Sequence, residues 1–98
     1  MRARFVEAAR QEFLGQISYY NAGNPRAAIQ FRQAVEAAVS RAASFPNAGS
    51  PMRYQARRVL VRRFPFSIMY RLEGDEIVIY ALAHHAREPG YWEPRLDP

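Results

Sequence analysis

Residues 21–46 read NAGNPRAAIQFRQAVEAAVSRAASFP. Asn24 followed by Pro25 is a helix start signal. The Asn side chain can accept from the first free N–H groups, and proline suits the first helical position, where an N–H would go unused anyway. Ala28, Phe31, Val35, Ala38, Ala42 and Phe45 then recur at spacings of 3, 4, 3, 4 and 3. That predicts one apolar face along the helix, with small residues that let a neighbour approach closely. Pro46 ends it. Upstream, Val6, Ala9, Phe13, Ile17 and Tyr20 form a second stripe, in a helix that starts near Glu7, where an acid suits the dipole. Asn21-Ala22-Gly23-Asn24 breaks the two apart, with Gly23 available for a left-handed cap. A connection of four residues leaves an antiparallel helical hairpin as the arrangement of the pair.

The flanks read as strands. Arg2–Val6 alternates charged and apolar residues. After a loop-like stretch, PNAGSPMRYQA (46–56), Arg57–Phe64 is strand-like, with Val59 and Val61 on one face and Arg58, Leu60 and Arg62 on the other. Pro65 marks a turn or bulge. Phe66–Leu72 follows, with Phe66, Ile68, Tyr70 and Leu72 sharing a face, and Glu73-Gly74-Asp75-Glu76 closes a hairpin. Ile77–Ala83 is apolar without alternation, as expected of a central strand covered on both sides. The order β-α-α-β-β-β predicts an α+β domain: an antiparallel twisted sheet with the helical hairpin packed on it.

Ninety-eight residues, 49% hydrophobic and 23% charged, fit one globular domain over 1–98. No apolar run approaches a membrane span, and MRARFVEAAR carries no apolar leader, so no membrane association and a cytoplasmic location are expected. The absence of cysteine excludes disulfides, a thiolate zinc site and a cysteine nucleophile. The basic residues number 14, all arginine. Genome composition alone can produce that bias, but the result is a surface of planar forks suited to phosphate and carboxylate. Residues 53–71 carry six arginines (Arg53, Arg57, Arg58, Arg62, Arg63 and Arg71) and no acid, whereas residues 72–98 carry two arginines against six acids. The net charge of +5 thus centres on one strand region, which is either a solvated face or a docking face for an acidic or polyanionic partner.

The exit of the last strand reads ALAHHAREPGYWEPR (81–95). His84 and His85 are neighbours on a strand, so their side chains leave by opposite faces and do not chelate one ion. With no clustered carboxylate, neither a metal site nor a cofactor is expected. Arg87 either meets a partner or pairs with Glu88 or Glu93. Tyr91 and Trp92 either stack on a nucleobase or fold the tail over the sheet.

Taken in order, Asn24-Pro25-Arg26-Ala27-Ala28, Phe45-Pro46-Asn47-Ala48-Gly49, the arginine strand, Phe66-Ser67-Ile68-Met69-Tyr70, Glu73-Gly74-Asp75-Glu76-Ile77 and Ala81-Leu82-Ala83-His84-His85-Ala86-Arg87 resemble the RelE/ParE superfamily. These proteins are the toxin halves of bacterial type II toxin–antitoxin modules. The resemblance implies a cognate antitoxin partner, whose disordered and often acidic segment folds on binding, and growth inhibition when that partner is missing. It leaves two targets. The RelE-like branch cleaves messenger RNA on the ribosome; the ParE-like branch blocks DNA gyrase without nuclease chemistry. For cleavage the resemblance implies Arg58, Arg63, His84, His85, Arg87 and Tyr91 as catalytic groups. Two positions that are typically basic in the nucleases are Leu60 and Ser67 here, and Ala83-His84-His85-Ala86-Arg87 reproduces the H-x-A-R ending typical of the ParE-like branch. Gyrase inhibition is therefore the favoured expectation, with Arg57, Arg58, Arg62, Arg63, Arg71, Arg87, Tyr91 and Trp92 as target- or antitoxin-binding residues. A basic nucleic-acid-binding module without toxicity is the third reading.

Overall fold

In the computed structural model, which describes residues 1–96, Asn24 belongs to both helices. Helix α1 spans Glu7–Gly23 and α2 spans Pro25–Ser44, so the connection is one residue rather than four. The Asn24 backbone N–H closes α1 on the Tyr20 carbonyl. Its side chain opens α2 by accepting from the N–H groups of Arg26 (3.1 Å) and Ala27 (3.4 Å). Its extended backbone (φ −158°) turns the chain, and the left-handed cap expected at Gly23 is not used.

The strands are β1 (Arg2–Phe5), β2 (Ser50–Pro51), β3 (Arg57–Val61), β4 (Phe66–Glu73) and β5 (Glu76–His84), in the spatial order β1-β5-β4-β3-β2. The α+β class stands, but the sheet is mixed: β1 runs parallel to β5, Arg2 opposite Glu76 and Phe5 opposite Ile79. The cause is β2, which pairs antiparallel with β3 and adds one reversal that the alternation of residues 46–56 does not signal, so β5 arrives running the same way as β1.

The sheet has a core on each side. Toward the helices, Ala9 of α1 and Phe31, Val35, Ala38 and Ala42 of α2 pack on Val61, Phe66, Ile68, Tyr70, Ile77, Ile79 and Leu82. Both predicted stripes face inward except at Phe45, which is 66% exposed. Phe45 is the C-cap of α2 (φ −135°, ψ 72°), and the backbone has already left the helical phase there. On the far side, Met69, Val78, Tyr80, Ala81 and Ala83 are covered by Trp92, Leu96 and Ala56. This explains the lack of alternation in β5. A bulge adds to it: Met69 faces Ala81 while Tyr70 faces Ile79, so Tyr80 is an extra residue and both Tyr80 and Ala81 turn to the far side.

The loop after α2 is closed by Tyr70, whose hydroxyl donates to the Pro46 carbonyl at 2.7 Å. A Cβ at Gly49 would lie 2.6 Å from that hydroxyl, so only glycine fits the approach. Among the described residues, no helix is long and apolar enough to cross a membrane.

Candidate functional site

The run of arginines in 53–71 does not form one patch. Strand alternation sends Arg57 to the helix side, where it is half-buried and donates to the Gly49 carbonyl at 2.8 Å. Arg58, the next residue, emerges on the opposite side, exposed. Arg62 and Arg63 sit in the turn between β3 and β4, where Arg63 takes a left-handed conformation (φ 73°). Arg71 is internally committed: it lies 2.8 Å from Glu73, donates to the Leu96 carbonyl at 3.0 Å and stacks on the Tyr80 ring. Arg71 and Arg57 are thus both held by groups of the chain itself. Arg58, Arg62 and Arg63 make no ion pair within 4 Å of a carboxylate among the described residues.

At the strand exit, Arg58, His84, His85 and Arg87 border a pocket of about 180 Å3. Cross-strand register explains its floor: Ser67 lies between Leu60 and Ala83, and Met69 lies between Arg58 and Ala81. Small side chains flank Ser67 and Met69 toward β5, and the floor carries no charge. Ser67, 1% exposed, is 2.9 Å from Nε2 of His85. His84 goes the other way, its ring 5.0 Å from that of Phe66, while its Nδ1 accepts from the Ala86 N–H at 2.9 Å. The neutral His84 ring thus carries its proton on Nε2. As alternation requires, the two imidazoles diverge. Arg87 lies flat over the Tyr91 ring at 3.7 Å and makes only a long, exposed pair with Glu88 at 3.5 Å.

Tyr91 and Trp92 belong to the tail that folds over the sheet. Trp92 is 1% exposed inside the second core, where the chain itself covers the indole. The Tyr91 hydroxyl donates to Glu12 Oε2 at 2.7 Å. Burial, and then the Glu12 carboxylate, push the Tyr91 phenol well above its usual range, so it is a poor proton donor for catalysis. Glu12 also binds Arg95 through both oxygens (2.9 and 3.0 Å) and accepts from the Leu82 N–H, while Arg95 donates to the Tyr80 carbonyl. Two backbone groups at the β5 bulge are satisfied in this way. Sequence reading singled out neither Glu12 nor Arg95, and no local signal could have found them, since they lie 83 residues apart.

A β-α-α sheet domain with a bulged central strand, an arginine-edged strand exit and a folded-back tail is thus in place. Residues 3–89 match the family model described as ParE toxin of type II toxin-antitoxin system, parDE. The chain belongs to the ParE toxin family. The ParE fold is also that of a solved structure titled "Chromosomal ParDE TA system from P. aeruginosa", with a TM-score of 0.76 at 24% identity, over 86% of this chain and 95% of that one. No curated protein matches the sequence. As a ParE toxin, the chain is one half of a type II toxin–antitoxin system, and an antitoxin is its implied partner.

Proposed function

We propose that this ParE-family toxin arrests growth by binding DNA gyrase in the bacterial cytoplasm, and that its cognate antitoxin neutralises it by covering the basic surface through an acidic segment that orders on binding. The observation that carries the reading is the uncharged floor of the strand-exit pocket. Phosphoryl-transfer chemistry needs cations where charge develops, and here that floor is built from Met69, Ala83 and a Ser67 already committed to His85. The exposed arginines around it suit binding. Purified toxin is expected to inhibit gyrase supercoiling of a relaxed plasmid, and pre-mixing with the antitoxin encoded beside it is expected to restore supercoiling. Unchanged supercoiling at micromolar toxin overturns the gyrase target.

One observation favours a second reading, ribosome-dependent messenger cleavage: Arg58, His85 and Arg87 border one pocket, which His84 also lines although its ring turns toward Phe66. Of the other two groups that chemistry would draw on, Arg63 lines a different groove, and Tyr91 lines the same pocket but has its hydroxyl held by Glu12. This reading expects Arg87→Ala to abolish cleavage on translating ribosomes with the fold intact. Wild-type toxin that leaves such messenger uncut removes it.

A further inference from the structure

A groove of about 520 Å3 runs between α2 and the turn joining β3 to β4, and is lined by Gln30, Gln33, Ala34, Arg62, Arg63 and Phe64, none of which lines the strand-exit pocket. We infer that this groove is a contact for the sugar–phosphate backbone of duplex DNA. Every polar side chain lining it can donate: two guanidinium groups and two carboxamides, the latter three residues apart and so on one side of α2. No acid lines it.

Beside the groove, Arg41 is held by its bond to the Leu60 carbonyl at 2.7 Å. Among the described residues, none of Arg41, Arg62 and Arg63 comes within 4 Å of a carboxylate. Burial, and then the nearby Arg62 charge, depress the Arg41 pKa. Three cations are therefore gathered without a counter-charge of their own, an arrangement that an external anion relieves. The turn is also strained in the direction of display. Arg63 occupies the left-handed region that glycine or asparagine would enter more easily, and both arginines emerge exposed from consecutive positions.

The lining distinguishes between anions. An acidic peptide that folds on binding needs apolar anchors as well as charge. This groove offers only Ala34 and a Phe64 whose ring packs against Phe31 and Tyr20 in the core. Single-stranded nucleic acid calls for an exposed aromatic on which bases stack, and Phe64 is not free for that. A duplex backbone asks only for donors spaced along a surface. The inference rests on the gyrase reading in one respect: a toxin bound to an enzyme that handles duplex DNA can touch both at once.

Duplex binding can nevertheless be measured without gyrase, by anisotropy of a short labelled duplex titrated with the full chain across a salt series. Binding is expected to be salt-sensitive. Arg62→Gln combined with Arg63→Gln should reduce the log–log salt slope by about 2 and weaken low-salt binding about tenfold or more. Arg2→Gln with Arg10→Gln, which removes equal charge from β1 and α1, should leave the slope near wild type. The inference is overturned if wild type does not bind duplex, if the turn variant binds like wild type, or if both variants lose equally. It is also overturned if a polyglutamate peptide, and not the duplex, binds in a turn-dependent way. A parallel supercoiling assay separates the two readings: gyrase inhibition without duplex binding sinks only the groove, and duplex binding without inhibition sinks only the gyrase target.

Discussion

Glu12 collects four hydrogen bonds, from the Leu82 N–H, the Tyr91 hydroxyl and both arms of Arg95. Through it, α1 holds the folded-back tail and the β5 bulge in one place. Glu12→Gln removes the charge but keeps the shape, so Arg95 loses its counter-ion and one bonded oxygen becomes an NH2 group facing donors. Loss of one partner of a buried pair costs about 3–5 kcal/mol. Side-chain exposures of 24% and 20% for Arg95 and Glu12 leave room for solvent screening, so about 2 kcal/mol is expected. A urea midpoint that falls with an unchanged slope checks this. No stripe or motif marks Glu12, because its partners are distant in the chain. Ser67 stands out in the sequence for an opposite reason, as a departure from the basic residue of the nucleases. Its bond to His85 depends on strand register, which residue spacing does not convey.

The most legible elements were those whose signals are local. Asn24-Pro25 opens α2 as predicted, and five of the six stripe residues are buried. Asn24→Ala deletes the cap and is expected to cost about 1 kcal/mol, read as a melting temperature lower by roughly 4–8 °C. An unchanged melting temperature would mean the 3.1 Å cap bond contributes nothing. Sequence pattern and structure part where an element ends or where distant strands meet. Phe45 keeps the stripe's spacing but not the helix's backbone, since spacing says nothing about where φ and ψ change. The two-residue β2 is too short for alternation to mark, and its reversal decides the direction of β5 relative to β1. The β5 bulge was hidden for a further reason: in a strand covered on both faces, an extra apolar residue does not disturb the pattern.

For the molecule as a whole, the net charge pointed to a basic region, but alternation and one tight turn divide its arginines between the interior, the strand exit and the α2 groove. Its stability should vary with pH through the cluster of Glu73, Tyr80 and Arg71. Burial acts to raise the Glu73 pKa, but hydrogen bonds from Tyr80 and Arg71 and their charge outweigh it and leave the carboxyl below its usual range. Its contribution is therefore full above the unfolded value of about 4.3 and is lost as pH falls through the lower folded value. Tyr80 is shifted the other way, by burial and then by Glu73. Its contribution is full below about pH 10 and is lost as pH rises through the folded value. Urea midpoints measured across pH should fall at both extremes, and Tyr80→Phe should shrink the alkaline decline, leaving the part due to Tyr70 and Tyr91, whose phenols burial also pushes up. An alkaline limb of undiminished size in that variant would rule out the Tyr80 contribution. The parallel pairing of Arg2–Phe5 with β5 bears on how the protein is made. β1 has no sheet neighbour until Glu76–His84 has been synthesised. A copy abandoned before that point leaves β1 unpaired and lacks Ile77, Ile79 and Leu82 of the helix-side core, which makes it a substrate for proteases rather than a folded toxin.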